Sequence, residues 1–142
     1  MTEDNGRSAL PTSSRDETIL LVEDEDVVRM MLVEILQLQG YTVFDAGMAE
    51  TALTLAEEHE FPINLLITDM NMPGMSGWDL AKCLRTTHPG LPVLFISGEN
   101  DHETQRWGKM DRPVQHLYKP FSLEDFVLKT REMLDLAKQV QS

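Results

Sequence analysis

From Glu17 onward, nearly continuous apolar runs alternate with segments whose apolar residues recur at helical spacing. "TILLVED" reads as a strand ending on acids. "EDVVRMMLVEILQLQG" reads as a helix with Val27, Val28, Met31, Leu32, Ile35 and Leu36 on one face and Gly40 as its stop. The pattern repeats in "YTVFDA" with "MAETALTLAEEH", in "NLLITD" with "SGWDLAKCLRTTH", in "LPVLFIS" with a polar segment, and in "VQHLYKP" with "SLEDFVLKTREMLDLAKQ". Strands apolar along their whole length must be covered on both faces, as in a parallel sheet whose crossover helices pack above and below. The expected fold is therefore a doubly wound α/β domain on a five-stranded parallel sheet.

Local signals refine this outline. Ser122 is the expected N-cap of the last helix, with Asp125 three residues on, and Asp26 is a second N-cap candidate. The fourth helical segment, "ENDHETQRWGKMDRP", carries Gly108, Pro113 and few apolar residues, and is expected to be short or mobile. The polar first 16 residues read as a disordered tail or linker, residues 17–138 as one domain and 139–142 as a C-terminal tail.

Composition narrows the function classes. A hydrophobic share of 42% in 142 residues suffices for a core without disulfides or structural metal. The net charge of −12 argues against direct binding to nucleic acid or anionic membrane, both polyanions. The single cysteine, Cys83, falls in an apolar-periodic segment and reads as a buried thiol. With no signal-like start and no run of about 18 apolar residues, a cytoplasmic protein is expected.

The stretch "NLLITDMNMPGMSG" carries the chemistry. An apolar strand ends on Asp69, where a charge is costly unless something nearby requires it. Other strands end on Glu23 and Asp24, on Ser97 and on Lys119, and in an open α/β sheet such carboxyl ends border the ligand crevice. Three crowded carboxylates repel one another, and one lysine does not compensate them. A hard divalent cation such as Mg²⁺ does, leaving room for phosphate oxygens. Asp69 could then attack phosphorus while Lys119 offsets charge and the Ser97 hydroxyl donates to a phosphoryl oxygen. Taken singly, each acid reads as a cap or turn residue, and Ser97 and Lys119 as turn and surface residues; the joint placement is what argues for a site. Met70, Met72 and Met75 read as packing, because thioethers are soft ligands.

With "LLVEDE", "LLITDMNMPGMSG", "FISG" and "LYKPF" in that order, the chain resembles the receiver domain of two-component response regulators over about residues 17–138. The resemblance implies a flavodoxin-like strand order 2-1-3-4-5 and a phosphoacceptor module of two-component or phosphorelay signalling. It makes Asp69 the phosphoacceptor, Glu23 and Asp24 the acidic pair, and Asp24, Asp69 and the backbone carbonyl of Asn71 the ligands of Mg²⁺ (or Mn²⁺). Ser97 becomes the switch residue, Lys119 the phosphoryl-contacting lysine, and Lys119–Pro120 a cis peptide. The implied phosphodonor is a histidine kinase or histidine phosphotransfer protein; the downstream protein is not named by the sequence. Such a module catalyses only its own phosphorylation and dephosphorylation.

Asn71 and Glu99 pair as in the chemotaxis regulator, at positions governing water's approach, so a short-lived phosphoryl state is expected. His116 stands where the family usually has Tyr or Phe, and it reads as a surface ring with no role or, second, as a pH-sensitive contact with a partner. The fourth helical segment departs from the DNA-binding regulators, while "LYKPFSLEDFVLKTREML" is similar to receivers of hybrid sensor kinases. An Mg²⁺-dependent phosphohydrolase would want a second acid where Asn71 stands. A phosphorylation-independent adaptor would be expected to have lost an acid, Ser97 or Lys119. Only a few residues follow the last helix, so no output domain is expected here; a stand-alone receiver, a relay intermediate and a hybrid-kinase segment all stay open.

Overall fold

A computed structural model describes residues 17–58, 62–98 and 110–141. Its elements run β1 (Thr18–Val22), α1 (Asp26–Leu38), β2 (Thr42–Ala46), α2 (Ala49–Glu58), β3 (Leu65–Asp69), α3 (Gly77–Thr87), β4 (Val93–Gly98), β5 (Val114–Lys119) and α4 (Leu123–Gln141). The strands form one parallel sheet in the order β2-β1-β3-β4-β5, as the resemblance implies. The initial tail and residues 99–109, which hold Glu99 and most of the fourth helical segment, lie outside the described residues; its last four, 110–113, are not helical.

The continuous apolar strands follow from two separate cores. Leu20, Val22, Leu66, Val93 and Phe95 point to the side covered by α2 and α3, with Ala52, Leu80, Ala81 and Leu84. Their neighbours Ile19, Leu21, Leu65, Ile67, Leu94 and Ile96 point the other way, against Leu32 and Leu36 of α1 and Phe126, Met133 and Leu134 of α4. Side chains alternate along a strand, so only a run apolar at every position serves both cores.

Three local expectations change. The buried face of α1 is narrower than its apolar stripe: Leu32 and Leu36 are buried and Val28 and Ile35 pack partly buried against the same core, but Val27 and Met31 are exposed. Asp26 is not a cap; it opens α1 and its carboxylate meets Arg29 at 2.7 Å, while Glu25 stands in the cap position with no side-chain bond. Cys83 is exposed on α3, because the helix turns its Leu80, Ala81 and Leu84 to the core instead. Other signals hold. Ser122 Oγ accepts from Asp125 N at 3.0 Å, and Gly40 ends α1 with φ 96°.

Candidate functional site

The parallel order brings the carboxyl ends of β1, β3, β4 and β5 side by side. Glu23 follows β1 and is fully buried; its N–H donates to the Ala46 carbonyl at 3.1 Å, and its Oε2 accepts from Glu25 N at 3.0 Å. Asp69 closes β3 with its own carbonyl accepting from Thr68 Oγ1 at 3.0 Å. A side chain at Gly77 would collide with that same carbonyl oxygen, so the loop after Asp69 can fold back only over a glycine. Ser76 caps the helix that follows, its Oγ accepting from Asp79 N at 3.0 Å.

Glu23, Asp24 and Asp69 each bring one carboxylate oxygen to within 4.8 Å of the others. Lys119 ends β5 with Nζ 3.5 Å from Asp69 Oδ1 and 3.9 Å from Glu23 Oε1. Ser97 lies in β4, between the strands of Asp69 and Lys119, one residue beyond the Asp69–Ile96 pairing. Asn71 is exposed in the loop two residues past Asp69, and the Lys119–Pro120 peptide is cis, as expected.

The polar atoms facing the crevice are strangely unsatisfied. Both Asp69 carboxylate oxygens, Glu23 Oε1 and Ser97 Oγ are buried with no hydrogen-bond partner among the described residues. Burial and the neighbouring Glu23 push the Asp69 pKa up to about 8, against the pull of Lys119. The Lys119 pKa is raised: burial works against its charge, but Asp69 and Glu23 outweigh it. Hard carboxylate oxygens with unused lone pairs and excess negative charge fit Mg²⁺ or Mn²⁺, and no thiolate or imidazole is among them to favour a softer metal.

His116 is not a surface ring. It is half-buried on β5, stacked between Phe95 (ring centroids 5.4 Å apart) and Tyr118 (5.9 Å), with Trp78 continuing the stack beyond Phe95 at 5.8 Å. Its Nδ1 is buried without a partner among the described residues, and burial lowers its pKa.

Two contributors escape sequence reading. Thr68 and Arg29 both act on backbone carbonyls, Thr68 on that of Asp69 and Arg29 Nη1 on that of Glu23 at 2.7 Å. No spacing signal announces either bond.

Residues 19–131 match the family model of the response regulator receiver domain. The chain belongs to that family. The receiver is 41% identical over 118 residues to the sensor kinase CckA of Brucella abortus, covering 83% of this chain but 12% of the kinase. It is 38% identical over 118 residues to the response regulator receiver protein CpdR of the same organism, covering 82% of this chain and 95% of CpdR. Transcriptional regulators of Picosynechococcus and Mycobacterium tuberculosis also match, and the chain spans about half the length of each, 51% and 49%. Among solved structures, the receiver domain of a hybrid histidine kinase CckA superposes with a TM-score of 0.69 at 35% identity, over 82% of this chain and 98% of that one. This receiver is thus homologous both to response regulators and to hybrid-kinase receivers. Among the described residues no helix is long and apolar enough to cross a membrane.

Proposed function

We propose that this receiver takes a phosphoryl group onto Asp69 from the phosphohistidine of a histidine kinase or phosphotransfer protein and thereby controls a downstream protein, in the cytoplasm. The observation that carries the reading is the state of Asp69: buried, with neither oxygen in a hydrogen bond among the described residues, beside two acids and one lysine. A carboxylate with a purely structural role would use its oxygens, as Glu17 does in accepting Arg131 on both of its own.

In this reading an Asp69 oxygen attacks phosphorus, the phosphorus–nitrogen bond breaks, and its electron pair stays with the donor imidazole. Lys119, already near Oδ1, offsets charge on the transferring group. Ser97 Oγ turns to donate to a phosphoryl oxygen, a small local charge event of the kind that biases a two-state element. Asp24, Asp69 and the Asn71 carbonyl would hold Mg²⁺ or Mn²⁺, which when bound neutralises the crowded carboxylates and charge on the phosphoryl oxygens. The receiver acts on no other substrate and catalyses only gain and loss of its own phosphoryl group. Asn71 and Glu99 would set a short lifetime; a phosphorylated form equally persistent in variants at both positions counts against that part.

The test combines Mg²⁺, acetyl phosphate and intact mass for wild type and Asp69→Asn, with a beryllofluoride-bound sample guarding against rapid hydrolysis. A single Mg²⁺-dependent adduct, absent in Asp69→Asn, is expected. No adduct and no Mg²⁺-dependent beryllofluoride binding would instead indicate an adaptor that works without phosphorylation.

A further inference from the structure

We infer that Arg29 is the positioning residue that aims Asp24 into the acidic crevice, a role that rests on the cation-dependent reading of that crevice. Asp24 is the one exposed member of the three acids, so no packing fixes its direction. Its direction is set by the peptide unit that joins it to Glu23. Arg29 Nη1 holds that unit by donating to the Glu23 carbonyl at 2.7 Å, and the preceding unit is fixed by the Glu23 N–H on the Ala46 carbonyl at 3.1 Å.

The guanidinium spans three elements to do this. Besides the Glu23 carbonyl it donates from Nε to Asp45 Oδ2 on β2 at 3.2 Å and from Nη2 to Asp26 Oδ1 at the start of α1 at 2.7 Å. The three acceptors use the planar fork, which a lysine cannot reproduce. Gly47 completes the arrangement: a Cβ there would lie 2.9 Å from Nη1. That clash is with the end of a flexible side chain, so Gly47→Ala moves the guanidinium rather than the backbone.

Charge and positioning predict opposite signs. Arg29 is a cation near a cation site, so by charge alone its removal strengthens Mg²⁺ binding. Loss of positioning weakens it, and groups that orient metal ligands characteristically cost about 10–100-fold in affinity when removed.

The experiment is calorimetric titration of the whole cation-free chain with Mg²⁺, well below the thermal midpoint, for wild type, Arg29→Ala, Arg29→Lys and Gly47→Ala, with melts on the same samples. Arg29→Ala and Arg29→Lys should each bind Mg²⁺ about tenfold more weakly. Gly47→Ala should fall between them and wild type while its melt stays near that of wild type. Mg²⁺ affinity unchanged or increased in Arg29→Ala overturns the inference, as does full affinity in Arg29→Lys. Should Arg29→Ala fail to fold, Gly47→Ala decides: unchanged affinity there overturns the role. A wild type that binds no Mg²⁺ and takes no phosphoryl group defeats the phosphoacceptor reading and this role together, whereas a phosphorylated wild type with unimpaired variants defeats this role alone.

Discussion

Two largely buried carboxylates stand at opposite ends of the sheet, and their surroundings differ in kind. Glu17, at the amino end of β1, receives Arg131 Nη1 at 3.1 Å and Nη2 at 2.8 Å on separate oxygens, with Lys138 Nζ at 3.1 Å. Arg131 is itself held by Tyr41 Oη at 3.2 Å. Asp69, at the carboxyl end of β3, accepts no hydrogen bond among the described residues. Burial pushes both acids upward. At Glu17 the two cations outweigh burial and the pKa falls, while at Asp69 burial joined by Glu23 carries it to about 8. This fold can satisfy a buried acid completely. That it leaves Asp69 unsatisfied points to chemistry, because the orphaned oxygens cost stability that structure alone does not recover.

The sharpest way to break the comparison is to remove each acid's function in turn. Asp69→Asn should abolish the phosphoryl adduct entirely and yet raise the stability of the cation-free protein, since a group that on folding must take up a proton or carry a repelled charge becomes a neutral amide. Arg131→Ala should do the reverse, keeping the adduct and costing about 2 kcal/mol by removing the guanidinium that bridges both Glu17 oxygens and Tyr41 Oη. Urea unfolding and intact mass on the same preparations measure both. If Asp69→Asn is less stable than wild type without Mg²⁺, the contrast between the two ends fails.

Acidity provides the next effect in size. The folded pKa of Asp69 lies near 8, above the unfolded value of about 3.9, so the folded chain binds the extra proton between those limits. Its contribution is therefore favourable at low pH and is lost as pH rises through 8. Glu17 has the opposite sign: its folded pKa is lowered, so its stabilisation is present above the unfolded pKa and lost as pH falls through the folded one. Cation-free melts over a pH series should show both limbs, with Asp69→Asn flattening the alkaline one and Glu17→Gln the acid one. Mg²⁺ should bind more tightly as pH rises toward 8, because a proton must leave Asp69 first.

The strands were legible because two cores demand apolar residues at every position, and the strand ends of such a sheet carry the ligand crevice by geometry. Glu23, Asp24, Asp69 and Lys119 could thus be gathered from chain order. What stayed hidden are contacts that depend on which way a side chain turns. Helical period marks Val27 and Met31 as readily as Leu32, but only the placement of α1 on the sheet decides which are covered. The bond of Arg29 to a carbonyl six positions away leaves no pattern in composition, and Glu17 and Arg131 are 114 positions apart. His116 was misread because β5 is an edge strand of half-buried residues, whose periodicity does not say that Phe95 pairs beside it.

His116 supplies the smallest and finest test, since it is a fourth residue, after Glu23, Asp69 and Ser97, with a buried polar atom that lacks a partner among the described residues. Its ring is wedged between Phe95 and Tyr118, and burial alone lowers its pKa. A base with a lowered folded pKa favours its neutral form, so the unfolded chain takes the proton first and stability falls as pH drops below about 6.5. His116→Phe keeps an aromatic ring in the stack and removes both the stranded Nδ1 and the titration. It should stabilise the chain by about 1 kcal/mol near neutral pH and by more in acid. Melts of wild type and His116→Phe above and below that pH give the answer. A gap between them that does not widen on acidification would mean that the ring meets water or a partner through Nδ1, and the orphaned groups of the crevice would then be confined to Glu23, Asp69 and Ser97.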